Sequence, residues 1–351
     1  MSQDEFYLSD VSPKDKPWDY HQGFANQVRD LYFATEFYRY AERIARCAQL
    51  LEFVLITNDD GETLLRLRSA QFCRVRHCPV CQWRRSMMWK ARFFQAMPEI
   101  EADHPTARFI FLTLTVRNCQ LTELRNTLSW MNKSWERLSQ RKQFPAIGWV
   151  KSVEVTSPWN VYYDSAFQGR MTGREFSRWR ERKRNYDSSL LQLGSTGEAH
   201  PHFHSLLMVP SSYFGQGYLS QQKWADLWQK SLRSDYTPLV DVRAIKPQKG
   251  GDMASAVKET LKYSVKPEDL VADPSWLQEL TSQLHRTRAI AVGGVLRRYL
   301  TEDDPEDLIH ADNPDSAEED GNDDDPFIYF GWREMIRRYV KRGNRDNGQA
   351  L

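Results

Sequence analysis

The chain has 351 residues, 40% hydrophobic and 27% charged, the composition of a soluble globular protein with material for a large core and one or two smaller modules. No apolar run approaches membrane-spanning length and Met1–Asp10 is polar and acidic, so no membrane span, anchor or secretion signal is expected. The formal net charge of +1 hides an asymmetry: residues 302–325 carry thirteen Asp or Glu and no Lys or Arg, and without them 34 acidic residues face 48 basic ones, a net of +14. A body of that charge favours polyanions, nucleic acid first, and twelve Trp with fifteen Tyr supply either stacking surfaces or core.

In chain order, residues 1–25 are polar and read as a flexible arm. Residues 26–100 read as a helical, zinc-binding module. In it, residues 27–52 have helical apolar spacing, with Cys47 near the end. Asn58-Asp59-Asp60-Gly61 is a turn between Glu52–Ile56 and Thr63–Leu67, a short hairpin. Cys73, Cys78 and Cys81 follow, then a helix from about Gln82 to Met97.

Residues 101–300 form the main domain. Phe109–Val116 is a buried strand by pattern, Leu121–Gln140 an amphipathic helix, and Gly148–Thr156 an alternating strand. The third strand is 202–209. Ser220–Leu232 is helical, Leu239–Ile245 a fourth strand, and Asp252–Val265 a helix that Pro267 stops. Within this domain, 157–197 is a basic insertion. Its Arg178, Arg180, Arg182, Lys183 and Arg184 suit either a DNA-contacting arm or a solvated helix face. Residues 301–326 read as an acidic disordered linker, and 327–351 as a basic, aromatic-bearing helix and tail. The fold class is α+β, a central antiparallel sheet flanked by helices with the small zinc module beside it.

The cysteines point to metal rather than disulfides, because three sit within nine residues of a chain without a secretion signal. Cys78-Pro79-Val80-Cys81 lets two sulfurs reach one Zn2+, Cys73 supplies a third, and Cys47 is the chosen fourth ligand with His77 as competitor. Arg74, Arg76, Arg84 and Arg85 crowd this knuckle and suit phosphate contact. A zinc deaminase would need H-x-E before P-C-x-x-C, and neither element is present.

Three of the eight histidines fall at alternate positions in His200-Pro201-His202-Phe203-His204. On a strand, His202 and His204 share a face and Phe203 turns the other way. Ser205 and Leu206 follow, so the Asp-His half of a metallo-hydrolase motif is missing. Two imidazoles leave a metal under-coordinated. Glu154, on the alternating strand 148–156, is the expected third ligand, a set that suits Mg2+ or Mn2+. His200 is a further ligand or an outer group. Glu259 and Tyr263 are four apart on one helix face, with Lys266 near it.

Phe111-Leu112-Thr113-Leu114-Thr115, then His200 to His204, then Glu259 through Lys262-Tyr263 to Lys266, together with the cysteine cluster running on to Arg85, resemble the HUH endonuclease superfamily. More closely they resemble the rolling-circle plasmid replication initiators, the Rep proteins, of the single-tyrosine type. The resemblance covers roughly residues 40–270. It implies a nickase and strand-transfer enzyme: Tyr263 would attack a phosphate of single-stranded origin DNA, keep the 5′-phosphate covalently, and release a 3′-OH primer. His202, His204 and Glu154 would hold the catalytic metal. Glu259 would activate water for the terminating cleavage, and Lys266 would stabilise phosphate or phenolate. Plasmid origin DNA, a host helicase and a DNA polymerase would be partners, with no membrane, in the bacterial cytoplasm. The alternatives are an HUH transposase or relaxase, and a non-enzymatic zinc-containing DNA-binding regulator of copy number.

Overall fold

The strand-forming runs pair antiparallel in two separate sheets in the computed structural model, which describes residues 5–57, 63–157, 197–245, 250–262, 264–300, 307–311 and 327–342. By packing, the chain divides into two units: Met1–Arg92 with Pro305–Leu351, and Phe93–Asp304.

In the second unit, β-branched and aromatic runs form β3 (Arg108–Thr115), β5 (Gly148–Thr156), β6 (Glu198–Val209), β7 (Val240–Ala244) and β8 (Ile290–Gly294), ordered β7-β3-β6-β5-β8. The two-residue β4 (Cys119–Gln120) pairs with the start of β6. This is the expected central antiparallel sheet. Register fixes which side chains meet: β6 sets His202 opposite Glu154 on β5 and His204 opposite Thr113 on β3. Phe203 and Lys151, one residue out of phase, face the other way.

That reverse face is covered by the helix Leu124–Ser139. Its Leu124, Leu128, Met131, Trp135 and Leu138 recur at helical spacing and are buried. Trp135 meets Phe203 and Trp149 edge-on, with ring centroids 6.2 and 5.1 Å apart. The helix Gln221–Leu232 starts where Ser220 accepts a hydrogen bond from the Lys223 N–H, and stops where Arg233 turns left-handed. Its Trp228 indole donates to the Thr115 carbonyl at 2.9 Å.

The helix expected over 252–265 is Gly250–Thr260. Pro267 opens a new helix, Pro267–Ala272, rather than stopping the old one. A proline at the first helical position forfeits no hydrogen bond, because that N–H has no partner within the helix. Tyr263, between the two helices, lies outside the described residues.

The first unit carries a four-stranded sheet, ordered β10-β9-β1-β2, from β1 (Leu50–Thr57), β2 (Thr63–Ala70), β9 (Phe327–Arg333) and β10 (Arg338–Arg342). The expected hairpin β1–β2 is present. Two expectations are corrected here. The C-terminal stretch is a hairpin and not a helix: Phe330, Trp332 and Tyr339 are buried on one face at the period of a strand, while the surrounding arginines had suggested a basic helix. The N-terminal stretch is not a flexible arm over its described length. A helix runs Pro17–Phe33 and buries Trp18, Ala25, Val28 and Tyr32, with the polar His21, Gln22 and Asn26 interleaved among them. The single helix expected over 27–52 is two, Pro17–Phe33 and Tyr38–Ala45, followed by β1.

Of the acidic stretch, Asp307–Ala311 is described, with Leu308 and Ala311 buried; residues 301–306 and 312–326 lie outside the described residues, as do 158–196 of the basic insertion.

Gly293 and Gly294 end β8 where its partner crowds in. A Cβ on Gly294, which sits at φ +62°, would stand 2.2 Å from the Ile147 carbonyl oxygen. Gly294→Ala is expected to cost the fold about 1–3 kcal/mol, read as a lowered urea midpoint with unchanged slope. An unshifted midpoint would mean the backbone there relaxes freely.

Candidate functional site

Among the described residues, two groups of side chains that could ligate a metal are assembled, one in each unit. In the first, Cys47 follows the helix Tyr38–Ala45, Cys73 follows β2, and Cys78 and Cys81 sit at the start of the helix Pro79–Asp103. Left-handed turns at Ala48 and Arg74 let the chain fold back around the sulfurs. All four cysteines are buried and unbridged. The Cys47–Cys81 and Cys73–Cys81 sulfurs are 3.6 Å apart, and Cys78–Cys47 3.7 Å. Four thiolates around one tetrahedral Zn2+ at about 2.3 Å stand about 3.8 Å from one another, so the donor set fits a single ion.

Backbone N–H groups already point at the sulfurs: Arg74 to Cys81 at 3.3 Å and Cys73 to Cys47 at 3.5 Å. Burial pushes the Cys78 thiol up, whereas hydrogen bonds from the other three cysteines hold Cys81 low. A bound cation would let all four ionise. His77 is buried against this cluster in sequence but is not among the four donors that converge.

The second group is Glu154, His202 and His204. One carboxylate oxygen, Glu154 Oε2, lies 2.9 Å from His202 Nε2, 2.6 Å from His204 Nε2 and 2.7 Å from Lys262 Nζ. Burial alone would raise the Glu154 carboxyl. The two imidazole hydrogen bonds and the Lys262 charge outweigh it and hold the group well below the usual carboxylate range. Burial lowers His204, so its neutral, ligand-competent form is favoured.

The other ring nitrogens fit the same purpose. His202 Nδ1 faces the His200 carbonyl at 3.3 Å, and His204 Nδ1 faces Thr113 Oγ1 at 3.1 Å. A carbonyl only accepts, so the His202 proton belongs on Nδ1. Its Nε2 can then face a carboxylate only as imidazolium or across a cation. Three ligands leave positions open for water or a phosphate oxygen. His200 does not join them: its Nδ1 is 2.8 Å from Asn118 Oδ1.

The remaining expected residues divide. Glu259, on the helix Gly250–Thr260, pairs with Arg243 at 3.1 Å. The Lys266 carbonyl accepts the Asp269 N–H at the start of the helix Pro267–Ala272. Arg74 is exposed and Arg76 and Arg85 are half-buried. Arg84 is corrected: only 2% exposed, it donates to the Leu308 and Ile309 carbonyls and lies over Trp18, so it supports the fold instead of meeting phosphate. Arg178, Arg180, Arg182, Lys183 and Arg184 lie outside the described residues. Three residues beyond those expected complete the site: Thr113 and Asn118 orient His204 and His200, and Lys262 neutralises Glu154. For Thr113 the available signal was its place in the Phe111-Leu112-Thr113-Leu114-Thr115 motif; for Lys262 there was only its place beside Tyr263.

An α+β protein with a two-imidazole, one-carboxylate group on an antiparallel sheet and a separate four-cysteine cluster, each able to hold a metal ion, is the class these features define. The family described as Replication protein matches residues 64–340, and the chain belongs to it. The protein rep of Streptococcus pneumoniae serotype 2 (strain D39 / NCTC 7466) is 35% identical over 262 residues, 73% of this chain and 69% of that one. The protein rep of Lentilactobacillus hilgardii is 30% identical over 87% of this chain and 90% of its own, and that of Lactiplantibacillus plantarum 33% over 82% and 84%. No solved structure matches the chain. The resemblance to plasmid replication initiators read from the motifs is borne out. No helix among the described residues is long and apolar enough to cross a membrane.

Cys78→Ser is expected to lower the bound metal measured by atomic emission and to reduce the melting temperature; full loading at unchanged stability would remove the four-sulfur site. Glu154→Gln is expected to weaken Mn2+ binding, followed by electron paramagnetic resonance, by about 10- to 100-fold. Unaltered affinity would place the ion elsewhere.

Proposed function

We propose that the protein initiates rolling-circle plasmid replication by binding its origin and nicking one strand through a covalent 5′-phosphotyrosine at Tyr263. The observation that carries this reading is how the residues flanking Tyr263 engage the metal-site strand. Lys262 Nζ reaches Glu154 Oε2, and the Ser264 carbonyl accepts the Val155 N–H at 2.9 Å. Both neighbours of the tyrosine are thus tied to β5 at Glu154 and the residue after it.

His202, His204 and Glu154 would hold Mg2+ or Mn2+, which supplies Lewis acidity to a non-bridging phosphate oxygen when bound. The chain's own residues do the rest. The Tyr263 oxygen forms a bond to phosphorus while the bond to the 3′ oxygen breaks; the phenol proton leaves and the 3′ oxygen takes one up, releasing the primer. A phenol of reference pKa about 10 needs help to ionise. The ammonium groups of Lys262 and Lys266 in the same segment favour the phenolate and the scissile phosphate. The same chemistry in reverse, with a new 3′-OH, is the strand transfer. Glu259, a carboxylate at the end of its helix, would take the proton from the water that ends the last cycle.

Zn2+ in the four-cysteine site would be structural. Arg74, Arg76, Arg85 and the arginines of the basic insertion would contact the DNA backbone, in keeping with the net +14 of the chain outside residues 302–325. A host helicase and polymerase would use the exposed 3′ end, in the bacterial cytoplasm.

Incubation with a single-stranded origin oligonucleotide and Mn2+, then mass spectrometry of the peptides, should yield a Tyr263–DNA adduct. Tyr263→Phe should lose that adduct with DNA binding within about twofold of the parent; an adduct that persists would assign the nucleophile elsewhere. Glu259→Ala should still form the adduct but accumulate over-replicated strands; clean termination would take the water-activating role from it.

A further inference from the structure

The face of the sheet that carries His202 and His204 continues across β3 onto the edge strand β7. Thr113 stands opposite both His204 and Asp241, and Phe111 stands opposite Arg243, so Asp241 and Arg243 lie on this histidine face. Arg243 Nε is 2.9 Å from Asp241 Oδ2, and its Nη2 is 3.1 Å from Glu259 Oε2. The same guanidinium lies 4.6 Å from the centre of the Phe111 ring. That ring is in turn stacked on the His204 imidazole, with centroids 5.5 Å apart and planes 22° from parallel. A continuous line therefore runs from the Glu259 carboxylate through Arg243 and Phe111 to His204.

Stability does not account for this arrangement. Arg243 and Asp241 are exposed, and ion pairs between exposed side chains contribute little to a fold. Glu259 is the penultimate residue of the helix Gly250–Thr260, the end at which the helix dipole disfavours a carboxylate. What Arg243 adds is direction. Its planar, rigid fork of donors fixes a carboxylate that would otherwise swing at a helix end.

We propose that Arg243 is the positioning residue of the water step: it holds Glu259 at a set place on the histidine face, so that the terminating cleavage depends on Arg243 more than the first nick does. The proposal rests on the reading of Glu259 given above. In that step the water oxygen bonds to phosphorus as the bond to the 3′ oxygen breaks. One water proton passes to Glu259, and the 3′ oxygen takes up a proton. Arg243 engages Glu259 Oε2, which leaves Oε1 as the proton acceptor. A carboxylate that samples many directions is seldom aligned with the water, and the rate falls accordingly. The first nick uses the Tyr263 oxygen instead of water and makes no demand on the direction of Glu259. Asp241 anchors the guanidinium from its Nε side, so that Arg243 fixes Glu259 rather than following it.

The test compares the two cleavages in the full chain. Protein is loaded with one origin oligonucleotide in Mn2+ to give the Tyr263 adduct, and the purified adduct then receives a second, labelled origin strand. The readout is the single-turnover rate of the second cleavage divided by that of adduct formation. Arg243→Gln should lower this ratio by about tenfold or more, with the half-saturating concentration of the second strand within about twofold of the parent. Arg243→Lys, which keeps the charge without the fork, should recover part of the loss. Glu259→Gln should lower the ratio as far, and the double variant should be no lower than Glu259→Gln alone. A double variant as low as the product of the two single losses would overturn the proposal. So would a loss in Arg243→Gln that saturating second strand restores, since Arg243 would then be a DNA ligand. An unchanged ratio in Arg243→Gln beside a lowered one in Glu259→Gln would overturn it and leave the water role of Glu259 standing. An unchanged ratio in Glu259→Gln, or a parent that forms no adduct, would remove the reading beneath the proposal and the proposal with it. Should Arg243→Gln fail to fold, Asp241→Asn is the substitute, expected to lower the ratio about threefold with the same non-additivity; additive losses there would count against the proposal.

Discussion

A single buried carboxylate oxygen sets the terms for the second unit. Glu154 Oε2 lies where two strands and one inter-helical segment converge, and His202, His204 and Lys262 all reach it. An isolated charge at that depth would be costly. The sheet can keep it only because the register of β5 against β6 brings two imidazoles into line and Lys262 closes the remaining side. A one-residue slip would turn every member of the group to the opposite face. The same convergence that makes the charge tolerable makes it a cation site, since ligands already within 4.8 Å of one another need little rearrangement to share an ion.

The two groups able to hold a metal ion solve different problems. The four sulfurs close on themselves, sealed by buried neighbours and backbone N–H groups, and leave no position open. The two imidazoles and one carboxylate leave coordination unfilled. Closed thiolate sets belong to structure and open imidazole–carboxylate sets to chemistry. In the first unit the cysteine cluster joins the end of a helix, the end of a strand and the start of another helix at one point.

Much of this was legible in the sequence because period and spacing are local. Alternation located β3, β5 and β6, the His-x-His spacing fixed a shared face, and the Cys-x-x-Cys knuckle located a metal site; Glu154 followed from the same alternation. What stayed hidden depends on partners far along the chain. Phe327–Arg342 becomes a hairpin because β1 lies beside it, and its arginines carry no sign of that neighbour. Trp18 is buried where Tyr339 and its strand arrive from the other end. Arg84 resembles a phosphate ligand until the Leu308 and Ile309 carbonyls are brought to it. Lys262 is one of many lysines until its surroundings are known.

The hairpin β9–β10 also bears on the order in which the protein is made. Its hydrogen bonds to β1, and the Tyr339 hydroxyl donating to the Ala48 carbonyl beside Cys47 at 2.6 Å, join residues almost three hundred positions apart. On the ribosome the second unit has its whole sequence while the first still waits for its last two strands. The Phe93–Asp304 unit can therefore fold before β9 and β10 emerge, whereas the sheet of the first unit is completed only when they do. Without β9 and β10, β1 would present an unpaired edge and the turn at Ala48 beside Cys47 would lose its Tyr339 hydrogen bond.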